Sequence, residues 1–101
     1  MGEWSGKYGS SATRTKVYMA KATRYFQRLG VAEFHMETGE LHRGDTILII
    51  GPTTGVLELE LEEMRLDTGP VETVVKGDNF SIAVPVKIRQ SDRLYLWRVN
   101  P

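Results

Sequence analysis

The sequence predicts an all-β domain, a small closed or partly open barrel of about six to seven strands. Three observations carry this reading. Apolar residues recur with a period near two over most of the chain. Glycine and proline divide it into segments spaced at roughly 8 to 15 residues. No window offers a long amphipathic helix.

Residues 1–15, rich in glycine, serine and threonine, read as a linker-like segment ahead of a barrel domain over 16–101. The first strand is expected over Val17 to Phe26 and the second over Val31 to Glu37. A third follows over Thr46 to Ile50, where four apolar residues in succession, Ile47 to Ile50, suggest cover on both faces. Leu57, Leu59 and Leu61 then alternate with Glu58, Glu60 and Glu62, giving one apolar and one charged strand face. The apolar positions continue at Met64 and Leu66, so the parity slips by one residue. That slip predicts a β-bulge between Glu62 and Glu63. Phe80 to Val84 and Leu94 to Val99 supply the last strands.

Three turns share one spelling: Arg43-Gly44-Asp45, Lys76-Gly77-Asp78 and Gln90-Ser91-Asp92. Glycine takes positive φ without steric cost, and the Asp carboxylate can accept backbone amides as the chain enters a strand. The recurrence makes Arg43-Gly44-Asp45 a turn device rather than an adhesion ligand. Gly51-Pro52-Thr53-Thr54-Gly55 likewise reads as a hairpin loop. A phosphate-binding loop would need a following helix and usually a lysine, and Pro52 has no amide to donate.

Composition narrows the function classes. A chain of 101 residues accommodates one core. The absence of cysteine excludes disulfides, thiolate zinc sites, cysteine nucleophiles and iron-sulfur ligation. No apolar run reaches the roughly 20 residues of a membrane span, and no secretory leader is visible. A soluble, cytoplasmic chain with no membrane partner is the expectation.

The net charge of zero is unevenly distributed. Residues 1–28 carry six basic residues against one acidic, and residues 29–63 carry one basic against eight acidic. A basic arm of this kind can meet phosphates or an acidic protein face. Pairing with the glutamates of neighbouring strands is the default expectation. No catalytic constellation emerges: Glu58, Glu60 and Glu62 share an exposed face, His35 and His42 lack a third ligand, and no serine sits on a strand-to-helix elbow. No metal or cofactor site is expected.

The order of turns is recognisable. The strand leading through "GVAE" to "GELHRGD", the strand ending "EEMRLD" before "KGDNFSIAV", and the return through "VKIRQSDRLYL" resemble the second-domain β-barrel of elongation factor Tu over about residues 17–99. Small stand-alone translation-factor-like proteins share that pattern. The segments "WSGKYGSSATRTKVY", "GPTTG", "EEMRLD..PVE" and "SDRLYLW" are more similar to the C-terminal barrel of the collagenase-like peptidase family U32, whose catalytic type is unknown. This resemblance implies a large catalytic domain upstream as the partner, with Met1-Gly2 as the start of an excised domain. In some relatives that upstream domain hydroxylates RNA bases with a cysteine-bound iron-sulfur cluster, which this chain cannot hold.

Two functional expectations follow. One is a non-catalytic accessory barrel for domain packing or substrate docking, with Trp4, Tyr8 and Trp97 as candidate interdomain contacts. For Trp97 a core position closing the barrel is the competing reading. The other expectation is an RNA-contacting barrel, stand-alone or serving an RNA-modifying enzyme, with Lys16, Lys21, Arg24, Tyr25, Phe26 and Arg28 as candidate RNA or partner contacts. Tyr25 and Phe26 are adjacent on a strand, so one of them should face the core.

Overall fold

In a computed structural model, residues 13–100 are described as ten strands: β1 (Thr13–Phe26), β2 (Val31–Met36), β3 (Glu40–His42), β4 (Thr46–Gly51), β5 (Gly55–Glu60), β6 (Met64–Leu66), β7 (Gly69–Val71), β8 (Thr73–Val75), β9 (Asn79–Ala83) and β10 (Arg93–Asn100). Eight form one antiparallel sheet in the order β5-β4-β10-β1-β2-β9-β6-β7. The other two, β3 and β8, pair with each other, and their Leu41 and Val74 enter the same core.

The sheet must curl. β5 and β6 are six strand spacings apart in the ladder, about 29 Å if flat. Only Leu61, Glu62 and Glu63 join them, and four Cα steps reach about 14 Å. Curling buries Phe34, Phe80, Met36, Ile47, Ile49, Met64 and Leu94 on the inner face. Phe34 and Phe80 face each other across β2 and β9 with ring centroids 5.8 Å apart. Yet the sheet does not close, and β5 and β7 remain its edge strands. The expectation of six to seven strands is therefore corrected to ten, because β3, β7 and β8 are three-residue pieces too short to show a period.

Two local expectations also change. The slip of parity after Glu62 is real, but it is a break between β5 and β6 rather than a bulge. Leu61 and Met64 both turn inward while Glu62 and Glu63 are exposed. The true irregularities lie in β1, where the register shifts between Tyr18 and Ala20 against β10 and between Ala22 and Arg24 against β2. β1 also begins at Thr13, four residues ahead of the predicted start.

The three related turns are built alike. In each, the Asp carboxylate accepts an amide N–H three residues back: His42 to Asp45 at 2.8 Å, Val75 to Asp78 at 2.9 Å, Arg89 to Asp92 at 3.1 Å. Each Asp N–H also donates to the carbonyl of that same residue at 3.0 Å. The third residue has φ of 96° at Gly44, 96° at Gly77 and 80° at Ser91, as a type II turn requires.

Candidate interaction face on the outer surface of the sheet

β1 would lose its one-sided pattern without its irregularities, because a strand alternates its faces strictly. One extra residue at Met19 and one at Thr23 each reset the parity. The outward residues consequently run Arg14, Lys16, Tyr18, then Lys21, then Arg24 and Phe26, while Val17, Ala20, Ala22 and Tyr25 turn to the core. The Met19 carbonyl freed from the ladder is taken by the amides of Glu37 and Thr38, at 2.8 and 3.3 Å.

On β10 the alternation puts Leu94 and Leu96 inside and Tyr95 and Trp97 outside. Antiparallel pairing sets Lys16 opposite Trp97 and Tyr18 opposite Tyr95. The resulting contacts interleave cations with rings. The Arg14 guanidinium lies 5.6 Å from the centre of the Trp97 ring, Lys16 Nζ 5.0 Å from Tyr95, and the Arg93 guanidinium 5.8 Å from Tyr18. Tyr18 and Tyr95 meet edge to face at 5.7 Å. Cation-ring contacts at exposed sites contribute about 0.5–1 kcal/mol each, so this ladder fixes rings on the surface instead of leaving them loose.

The face extends beyond β10. Tyr18, Tyr95, Leu48 and Glu58 form one transverse row across β1, β10, β4 and β5. Leu48 belongs to this outer row, not to the inner core, yet it is only 7% exposed. Arg14 Nη1 comes within 3.9 Å of Glu58 Oε2 although two strands separate theirs. Tyr18 donates its hydroxyl to Glu37 Oε1 at 2.7 Å. Partial burial of the phenol and this bond to a carboxylate push its pKa up to about 12, Arg93 opposing them.

The structure places the sequence-predicted residues unequally. Lys16, Lys21, Arg24 and Phe26 share the outer face of β1, and Phe26 is 37% exposed. Tyr25 is the member of the aromatic pair that packs on the core. Arg28 lies in the exposed β1–β2 turn, closed by amides of Leu29 and Gly30 on the Phe26 carbonyl. Trp97 is half-buried on the outer face, which rules out the core reading for it. Trp4 and Tyr8 lie outside the described residues. Of the basic arm, Arg14 makes an ion pair, whereas Lys16, Lys21, Arg24 and Arg28 make none with a described residue. Arg93, Tyr18 and Leu48 escaped sequence reasoning because the pairing of β10 with β1 and with β4 joins segments that no local pattern connects.

The remaining polar candidates have local partners. His35 Nδ1 lies 2.8 Å from Asn79 Oδ1 and His42 Nδ1 3.2 Å from Thr73 Oγ1. Among the described residues no three His, Asp or Glu side chains converge as a metal site would require.

In sequence the chain is similar to a collagenase of Porphyromonas gingivalis, 55% identical over 95 residues that make up 94% of this chain and 23% of that protein. A second collagenase from the same species is 54% identical, over 94% of this chain and 26% of the relative. An uncharacterized protease of Methanocaldococcus jannaschii is 32% identical, over 87% of this chain and 21% of the relative. The chain thus spans about a quarter of the length of the curated relatives it matches. No family model matches it. In structure it is similar to the C-terminal domain of a Geobacillus thermoleovorans protein classed as a U32 peptidase, with a TM-score of 0.73 and 12% identity, covering 81% of this chain and 92% of that one. At that identity the likeness concerns the fold alone.

Proposed function

Because the chain belongs to the collagenase-like U32 peptidase family as a domain of its C-terminal type, we propose that it is a non-catalytic accessory β-domain. It docks through the outer face of β1, β10 and β4 onto the catalytic portion carried by the longer relatives. The observation that carries this reading is the Tyr18-Tyr95-Leu48 row with Trp97 beside it. Surface aromatics held in fixed orientation by cations are typical of the centre of an interface, where tryptophan, tyrosine and arginine dominate the binding energy. The turn order shared with the second-domain barrel of elongation factor Tu supports reading the curled sheet as an open form of that barrel.

The test supplies the remainder of the 55% identical relative as a separate polypeptide and measures its association with this domain by calorimetry. Association that Trp97→Ala and Tyr95→Ala weaken by about 2 kcal/mol each, with each variant domain still folded by circular dichroism, is the expected result. Equal association of the parent domain and both variants would remove the outer face from the interface.

A second reading rests on a different observation: Lys16, Lys21 and Arg24 align on one face with Phe26, free of ion pairs to described residues. Such a row can follow the phosphates of an RNA strand, with Phe26 as a stacking surface. Binding to structured RNA should then weaken with salt, with a log-log slope of about −2 to −3 for three phosphate contacts. Charge reversal at Lys21, Arg24 and Arg28 should flatten that slope. Absence of binding in low salt leaves the accessory reading alone.

A further inference from the structure

We propose that the open seam between β5 and β9 binds an extended basic peptide, which joins the sheet there as an added strand. This site lies apart from the outer face of β1 and β10 and stands or falls separately from it. The ladder ends at β5, and β9 is paired on its far side at one position, Ser81 with Arg65 of β6. Between the two edges runs a cleft of about 480 Å³, within the range of ligand clefts. Leu59, Leu61 and Ile82 line it from the core side, Glu60 and Glu62 from the β5 side, and Ala83 and Pro85 from the β9 side.

Hydrogen-bond parity leaves main-chain groups directed into this cleft. The Met36 N–H donates to the Asp78 carbonyl at 2.8 Å and the Val84 N–H to the Gly30 carbonyl at 2.9 Å. Residues of β9 in step with these two therefore bond to β2, and the alternation of an antiparallel ladder turns Ser81 and Ala83 the other way. Ser81 meets β6, and Ala83 faces the seam. On the opposite wall the Leu61 N–H donates to the Asp45 carbonyl at 2.8 Å. The odd-numbered residues of β5 thus bond to β4, and Val56, Glu58 and Glu60 present their amides and carbonyls outward. Two unsatisfied strand edges flanking an apolar floor are what strand addition uses.

Charge selects the occupant. Glu58 and Glu63 have Arg14 and Arg65 as partners, at 3.9 and 3.2 Å. Glu60 and Glu62 make no ion pair with a described residue. A strand laid in the seam turns alternate side chains to the apolar floor and the rest to the glutamate rim. The matching sequence alternates apolar residues with lysine or arginine.

The probe is a fluorescein-labelled nonapeptide of alternating valine and lysine, titrated with the protein and followed by anisotropy. Saturable binding is expected, weakened by at least about tenfold in a Glu60→Lys, Glu62→Lys double variant and lost when alternate peptide amides are N-methylated. Amide exchange should slow at Ala83, Val56, Glu58 and Glu60 in the bound state. Ala83→Pro, which removes the seam-facing amide without touching a bond to β2, should weaken binding while leaving the circular dichroism unchanged. Three results overturn the proposal: no saturation by about 1 mM peptide, equal binding of the N-methylated peptide, or protection confined to other strands.

Discussion

The Thr54 hydroxyl donates to the Asp92 carboxylate, tying the β4–β5 hairpin to the turn that launches β10. Asp92 is 1% exposed and also accepts the Arg89 amide at 3.1 Å. A buried carboxylate with few donors is costly, and bonds to charged groups contribute about 1.5–3 kcal/mol. Thr54→Val keeps the shape and removes the donor, so it should destabilise the fold by about that amount in urea denaturation, whereas Thr53→Val, at an exposed neighbour, should leave the midpoint unmoved.

The same carboxylate explains Gly51. A Cβ there would sit 1.8 Å from Asp92 Oδ1, far inside contact distance, although the Gly51 φ is unexceptional. At Gly44 nothing lies within 4 Å but φ is 96°. Gly44→Ala should therefore cost only the left-handed backbone strain, about 1–2 kcal/mol, and Gly51→Ala more. A double-mutant cycle separates the causes. The Gly51→Ala cost should shrink in an Asp92→Ala background, and the Gly44→Ala cost should be the same in both.

Ser91 holds a position that its two counterparts, Gly44 and Gly77, fill with glycine. It is the non-glycine residue with positive φ among the described residues. Replacing it by glycine relieves strain but loosens the unfolded chain, and the strain is the larger effect. Ser91→Gly should stabilise the fold in urea denaturation by up to about 1 kcal/mol, while Ser91→Val should destabilise it.

These turns were legible in the sequence because their chemistry is local: a small residue and an Asp at fixed spacing specify the same four-residue turn three times. The Leu/Glu alternation of β5 and the apolar run of β4 were legible for the same reason. The bulges at Met19 and Thr23 were not. Their signal is a shift in which residues face inward, and alanines at 20 and 22 blur that contrast in a strand so rich in polar residues. The outer face depended on those bulges and on the pairing of residues near opposite chain ends, Lys16 with Trp97 and Tyr18 with Tyr95. Sequence therefore supplied several of its members, Lys16, Lys21, Arg24, Phe26 and Trp97, without their assembly. The seam was invisible because it arises where the sheet fails to close.

Tyr18 makes the outer face report on pH. Its pKa is raised from 10.0 to about 12 by partial burial and by the hydrogen bond to Glu37. The folded state thus favours the protonated phenol, and this contribution is intact below pH 10. As pH rises from 10 toward 12, the unfolded chain releases its proton first, so the folded state loses the advantage. Stability measured by urea denaturation should fall more steeply over that interval in the parent protein than in Tyr18→Phe, with the two curves parallel below pH 9. Glu37→Gln removes both the charge and the strong acceptor, and should bring the Tyr18 absorbance titration back toward 10. A Tyr18 transition left near 12 in Glu37→Gln would assign the shift to burial alone and remove Glu37 from the account.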